Sequence, residues 1–348
     1  MVSKKNINIF FIICPNGYGH AKRSFLIINK LYQKNNKLNF SILIDKDKKK
    51  LASEILINKL SKKIKFYYYP YNLKNILKIH EELENKSLIK KLLSADHVIS
   101  DNMAHPLSIR KDLILIGSFL WSDILSKKNP SNLKFIKQER NLIKKYKPLL
   151  ICLKKMIYMK TNKNIKLIFF NWMRERKIHL NKKKFFKNKK KINVLISPSK
   201  FYSKSLISNI INKLNNEENI NLYLPKSLMK GHFNNKVRKF HYSNSNFKKI
   251  DFNICRAGVG AIEDSVQYNI PIMALPEKSN LEIISNLKNI KKYKLGFTLD
   301  ISNLMKSGLY EQLRKKNKEI EKIYYNLSKQ SFDGLEKLTN YLGKRFYS

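Results

Sequence analysis

Two short stretches of this chain combine glycines with side chains that handle charge. The first is Asn16-Gly17-Tyr18-Gly19-His20-Ala21-Lys22-Arg23, directly after an apolar run. Gly17 and Gly19 let a backbone turn tightly and approach a ligand closely. A helix beginning near His20 would aim free N–H groups and its positive dipole end at an anion. An imidazole at that turn can take up a proton near neutral pH. The plain alternative is a strand–helix turn in which His20 only caps the helix. The spacing is not G-x-G-x-x-G, which disfavours a dinucleotide site. The second stretch is Cys255-Arg256-Ala257-Gly258-Val259-Gly260-Ala261-Ile262-Glu263-Asp264. Gly258 and Gly260 would admit a diphosphate to a helix N-terminus. Glu263, one turn inside that helix, can accept hydrogen bonds from both hydroxyls of a ribose, or simply complement the helix dipole. A weaker third signal is Ser94-Ala95-Asp96-His97-Val98-Ile99-Ser100-Asp101, followed by Gly117-Ser118-Phe119-Leu120-Trp121. Asp101 is either an acid–base or acceptor-binding group, or a polar strand end that caps the next helix. His97 and His105 stand alone and read as structural. The scattered histidines and carboxylates show no metal-ligand spacing, so no metal site is expected.

These groups need elements to place them, and the chain repeats an order of strand, loop and helix. Asn8 to Cys14 is a continuous apolar run of the kind that suits a central parallel strand. Ala21 to Lys34 carries Ala21, Phe25, Ile28 and Tyr32 as a helical stripe. Strands are expected at 39–44, 64–69, 97–100 and 113–116, with helical patterns between them, for example at 76–93. A charged stretch, Lys182 to Lys191, precedes a fresh strand at 192–196 and marks the expected domain boundary. The pattern then restarts, with helices at 203–214 and 261–268, strands at 220–224, 252–255 and 271–275, and a helical tail at 308–342. The reading is α/β: two Rossmann-like domains, an N-terminal one over 1–185 and a C-terminal one over 186–348. Such halves bind ligands at the carboxyl ends of their strands.

Composition narrows the partners. The 348 residues hold 71 basic and 25 acidic side chains, a net charge of +46, but only 9 of the basic ones are Arg and 62 are Lys. Arg reads phosphates and bases in bidentate fashion. Lysine scattered along the whole chain reads instead as compositional bias, and no Arg-rich focus or aromatic platform points to a specific nucleic acid. A basic surface would still favour an anionic membrane face. The segment Tyr146 to Tyr158, with Leu149, Leu150, Ile151, Leu153, Met156 and Ile157 beside four lysines, is either a basic amphipathic face or an ordinary core segment. Three dispersed cysteines fit a reducing compartment without structural zinc. Lys4 and Lys5 before the run Ile7 to Cys14 mimic a leader peptide, yet the run is short and no small-residue cleavage site follows. A cytoplasmic protein is expected.

The first-strand GxGH loop with Arg23 three residues on, and the segment Arg256-Ala257-Gly258…Ile262-Glu263-Asp264…Pro271-Ile272-Met273-Ala274-Leu275-Pro276, together resemble the GT-B glycosyltransferases. The nearest likeness is to the family of the UDP-N-acetylglucosamine transferase of peptidoglycan synthesis and to the glycosyltransferase family 28 C-terminal domain. The likeness is sharp over residues 8–33 and 250–297 and architectural elsewhere. It implies two domains facing each other across a cleft, with the C-terminal helix returning to the N-terminal domain. It implies that Gly17, Gly19 and His20 face the acceptor and the donor diphosphate, with His20 or Asp101 as the base. It places Arg256, Gly258, Val259 and Gly260 at the donor phosphates, Glu263 on the ribose and Asn286 at the end of the donor-sugar stretch. It implies no cofactor beyond the nucleotide-sugar substrate and no metal. Leu281, Glu282 and Ile283 stand where the family carries polar residues that touch the donor sugar, and Ser197-Pro198-Ser199 replaces a Gly-rich turn.

The expected activity is transfer of a sugar from a nucleotide diphosphate sugar, UDP-linked by the resemblance, to a hydroxyl of a sugar or lipid-linked acceptor. Such an enzyme would work in the cytoplasm or at the inner membrane face in surface-polysaccharide or glycolipid synthesis. The alternative is a nucleotide-sugar hydrolase of the same fold, with water in place of the acceptor.

Overall fold

The computed structural model describes residues 6–69, 85–125, 129–158, 164–175, 190–198, 202–229 and 237–347. The chain divides into two compact units, Met1–Arg174 with Asp333–Ser348, and Glu175–Phe332. The first unit is a parallel sheet of β1 (Ile7–Ile13), β2 (Leu38–Ile44), β3 (Lys65–Tyr68), β4 (His97–Asp101), β5 (Ile114–Ile116), β6 (Leu149–Leu153) and β7 (Lys166–Phe170). Its order is β3-β2-β1-β4-β5-β6-β7. The central strand β1 is apolar almost throughout because helices cover both faces of a parallel sheet. Helix α1 (Tyr18–Lys34) buries Ala21, Phe25, Ile27, Ile28 and Leu31, the stripe visible in the sequence. It begins at Tyr18 rather than Ala21, so Gly19 and His20 lie in its first turn.

The second unit repeats the plan with β8 (Ile192–Ser197), β9 (Ile220–Pro225), β10 (Val237–Phe240), β11 (Phe252–Cys255), β12 (Ile272–Ala274) and β13 (Gly296–Thr298). These pair in the order β10-β9-β8-β11-β12-β13. Every paired strand in both sheets is parallel. Strands β6, β7, β10 and β13 were not expected from the sequence. The first of them decides for the core-segment reading at residues 149–153. Leu149 to Leu153 are all buried between β5 and β7, so those apolar side chains fill the sheet and form no surface face.

The units also part at a different place from the sequence boundary. The division falls between Arg174 and Glu175, and Asp333–Ser348 belongs to the first unit. Most of the charged stretch at 182–191 lies outside the described residues. The final helix runs Gly334–Tyr347 and buries Leu335, Leu338, Leu342 and Phe346. Glu336 on it accepts from Lys30 and Lys34 of α1. A side chain at Gly334 would overlap the Asn171 carbonyl, which explains a glycine at the start of a helix. No described helix is long and apolar enough to cross a membrane.

Candidate active site

In the first unit the chemistry gathers at the carboxyl ends of β1 and β4, which pair so that Ile13 stands opposite Asp101. Gly17 caps α1 with φ 88° and ψ 155°, a conformation open in practice only to glycine. That turn sets His20 over the end of β4. Its Nδ1 lies 2.6 Å from Asp101 Oδ1. Arg23, one helical turn on, donates through Nε to Asp101 Oδ2 at 3.0 Å and through a terminal nitrogen to Oδ1 at 2.6 Å. Ser24 Oγ donates to Oδ2 at 3.1 Å. Asp101 and Arg23 are buried, while the His20 side chain keeps 16% of its surface exposed. Lys48, also buried, donates to the Pro15 carbonyl and to Asp45, and so braces the glycine turn from below.

The charge state of Asp101 follows from its neighbours. Burial alone would raise its pKa, but the Arg23 charge, then the His20 charge and their hydrogen bonds, outweigh burial and hold it below the usual carboxylate range. An ionised Asp101 accepts, so His20 Nδ1 carries the proton and donates. The neutral ring then keeps a lone pair on Nε2. This arrangement can remove a proton from a hydroxyl and stabilise the imidazolium that results. Both Asp101 oxygens are thus engaged, Oδ1 by His20 and Arg23 and Oδ2 by Arg23 and Ser24. Arg23 and Ser24 were not singled out as site residues; their i+3 and i+4 spacing from His20 on one helix face was the available signal. His97 sits at the opposite, amino end of β4 against Phe346. His105 is buried against Phe135.

In the second unit β11 ends at Cys255 and leads into helix α2, Val259–Gln267, capped by Gly258. No side chain caps this helix and no acid occupies its first turn. The leading N–H groups of Val259, Gly260 and Ala261 thus have no partner within the helix, and its positive end is uncompensated. A Cβ at Gly258 would meet nothing within 4 Å, so the glycine leaves the space before the helix open. Beneath the loop, Ser197 Oγ donates to Asn253 Oδ1 at 2.8 Å, and Asn253 Nδ2 donates to Ser265 Oγ at 2.9 Å. Buried Asn286 donates through Nδ2 to the Ala257 carbonyl at 2.8 Å, and its Oδ1 has no partner among the described residues. Arg256 Nε lies 3.9 Å from Glu277 Oε2. Glu277 Oε1 accepts from the Lys278 and Ser279 amides, both at 3.0 Å. Burial raises Glu277, but these amide bonds outweigh it and hold the group below its ordinary range.

The structure thus brings Gly17, Gly19, His20 and Asp101 together in one unit, and Arg256, Gly258, Val259, Gly260 and Asn286 around one loop of the other. Glu263 is buried one turn into its helix. Ile283 is buried in the core, so this departure from the family pattern is a packing residue. The three cysteines are free and buried, and desolvation pushes each thiol up to about 12, which removes them as nucleophiles near neutral pH. Among the described residues no group of three or more His, Cys, Asp or Glu side chains comes together.

Residues 209–340 match the family model of the glycosyltransferase family 28 C-terminal domain. No curated sequence matches the chain. Solved structures of similar fold include Acinetobacter baumannii MurG, with 11% identity and a TM-score of 0.61 over 98% of this chain and 100% of that one. Phytolacca americana UGT2, complexed with UDP-2fluoro-glucose and pterostilbene, has 9% identity and a TM-score of 0.67 over 98% and 100%. The spinosyn rhamnosyltransferase SpnG complexed with thymidine diphosphate has 9% identity and a TM-score of 0.65 over 97% and 100%. At these identities the likeness establishes the architecture, which is that of the GT-B glycosyltransferases.

Proposed function

We propose that this chain, a GT-B-fold protein with a family 28 C-terminal domain, transfers a sugar from a nucleotide diphosphate sugar to an acceptor hydroxyl. The observation that carries the reading is the His20–Asp101–Arg23 cluster, in which a buried ion pair fixes the tautomer of a partly exposed histidine. His20 Nε2 takes the acceptor proton as the acceptor oxygen bonds to the anomeric carbon. The bond from that carbon to the diphosphate oxygen breaks, and a nucleoside diphosphate leaves with the electron pair. The open N-terminus of α2 stabilises the charge growing on the leaving group. Arg256 adds a cation beside it, Val259 and Gly260 supply amides, Glu263 receives the ribose and Asn286 holds the loop. Gly17 and Gly19 keep the His20 turn close to the reacting hydroxyl. Solved structures of similar fold hold UDP-2fluoro-glucose or thymidine diphosphate, which supports a pyrimidine nucleotide; we assign uridine.

Thermal-shift measurements against nucleoside diphosphates test the donor assignment. A ligand that binds only the folded state raises Tm by mass action. UDP should raise it most; a shift confined to GDP or ADP would overturn the uridine assignment. The second reading, hydrolysis of the nucleotide sugar, is favoured by the apolar Leu281 and the buried Ile283 where donor-sugar ligands are expected. Stoichiometric sugar release without any acceptor would select it. The lysine surplus also suits attachment to an anionic membrane face, checked by co-sedimentation with phosphatidylglycerol vesicles.

A further inference from the structure

Two buried carboxylates of the first unit have opposite surroundings. Asp101 accepts hydrogen bonds on both oxygens, from His20, Arg23 and Ser24. Glu139, on the helix Pro130–Tyr146, is 1% exposed and accepts from Ser122 N on Oε2 at 2.5 Å. Its Oε1 is buried with no hydrogen-bond partner among the described residues. A carboxylate oxygen buried without a donor is costly, and such a group keeps a proton instead. The charges around Glu139 act in the same sense. Asp123, on the turn Trp121–Ile124, is a second buried acid. Arg140, the next residue of the helix, donates to the Ser122 carbonyl at 3.2 Å and lies 3.9 Å from Asp123 Oδ1, but its side chain is 42% exposed, so water screens its charge. His105, on the turn His105–Ser108, is buried against Phe135, one helical turn back from Glu139. Burial pushes the Glu139 carboxyl up to about 7 against the Ser122 hydrogen bond, with Asp123 adding to the rise.

What Glu139 holds is the loop that leaves β5. Asp101 stands opposite Ile116 in the sheet, and Asn102 N donates to the Ile116 carbonyl at 2.7 Å. Gly117 follows, so close to Asn102 that a Cβ would overlap its carboxamide. The turn 121–124 comes next, with Leu120, Ser122 and Asp123 buried. The loop 117–125 therefore runs from the sheet edge that carries Asp101 to the carboxyl of Glu139.

We propose that Glu139 is a pH-sensitive latch: its protonated carboxyl holds the turn 121–124 against the helix 130–146, and loss of the proton to water loosens the loop 117–125 beside Asp101. In the neutral form Oε2 accepts the Ser122 amide as a carbonyl oxygen, and Oε1 carries the proton. In the ionised form Oε1 is a buried anion close to the Asp123 charge. Lifting the turn admits water to both acids and returns Glu139 to its ordinary acidity. The opened form therefore binds the proton less tightly than the closed one. Opening is favoured progressively as pH rises from about 4.5 to about 7, and levels off above. The latch needs no substrate and stands apart from the transferase reading.

Amide hydrogen exchange of the full chain, read by mass spectrometry on peptides spanning 117–125 and the β1 segment 7–13, tests it. Each rate is divided by the intrinsic rate at the same pH to give a protection factor. Peptide 117–125 should exchange faster than 7–13 and stay insensitive to sub-denaturing urea, as local opening requires. Its protection should fall by about 10²-fold between pH 4.5 and pH 7 and then hold level to pH 8. Glu139→Gln keeps the acceptor for Ser122 N but cannot ionise, so its protection should be flat across the series. Asp123→Asn removes the neighbouring charge and should move the point of levelling below that of wild type. Flat protection in wild type, the full fall retained in Glu139→Gln, or equal protection of the two peptides at every pH would overturn the latch. Should Glu139→Gln not fold, Asp123→Asn decides: a levelling point that does not move overturns the proposal, and one that moves down supports it.

Discussion

His20 works as a base only if its proton sits on Nδ1, and Asp101 enforces that placement. Asp101→Asn keeps the shape but can donate where it must accept, and it leaves Arg23 buried without its counter-charge. We expect a large loss of kcat together with a stability loss of about 3–5 kcal/mol, read from urea unfolding beside steady-state rates. An Asn variant with normal kcat would contradict the tautomer argument. The pH dependence has a definite sign. Folding lowers the Asp101 pKa, so its contribution is full above the unfolded value of about 3.9 and is lost as pH falls through the folded value. Below about pH 4, Tm should therefore fall less steeply with falling pH in Asp101→Asn than in wild type. His20 and Asp101 were both legible from their loops. Their contact was not, because 81 residues separate them and only parallel pairing of β1 with β4 makes them neighbours.

At the scale of elements, the turn from β1 into α1 is the part most dependent on one residue. Gly17→Ala forces a side chain into a glycine-only conformation and should cost about 1–3 kcal/mol. It should also lower kcat by shifting His20, with little change in donor affinity; equal stability and rate would show the turn to be relaxed. A second element-level prediction concerns Glu139, in the helix Pro130–Tyr146, whose Oε2 accepts from Ser122 N. Burial pushes its carboxyl up to about 7. The folded state then holds a proton that the unfolded chain has released, so stability should fall as pH rises from about 4.5 to 7 and level off above, by on the order of 3 kcal/mol. Glu139→Gln should flatten that slope in a pH series of Tm values; an unchanged slope would remove Glu139 as its source. The alternation of strand and helix was readable here because β1 and α1 carry unmistakable apolar runs. Strand β6 was not, since five buried apolar residues between lysines fit a strand, a core helix turn or a surface patch equally well until its two neighbours are known.

For the whole molecule, two parallel sheets were legible in the repeating pattern, whereas the return of the C-terminal helix to the first unit was legible only through the family resemblance. Residues Asp333–Ser348 complete the first unit, and their helical stripe alone cannot say which sheet it covers. Deleting residues 333–348 should expose the partners of Leu335, Leu338, Leu342 and Phe346, each about 1.5–3 kcal/mol of apolar burial. We expect the first unit to lose its cooperative thermal transition while the second retains one, as seen by calorimetry. A single unchanged transition would mean that this helix contributes little. The net charge of +46 was equally plain in the sequence, yet it assigns no partner by itself, since charge concerns association and solubility more than fold. The central claim is that His20 removes the acceptor proton in a sugar transfer. It is tested most directly by comparing wild type with His20→Ala in single-turnover glycoside formation, with donor affinity measured on the same samples. Our account predicts a rate lower by about 10²–10⁴-fold at unchanged donor affinity; a His20→Ala protein that forms glycoside at the wild-type rate would contradict it.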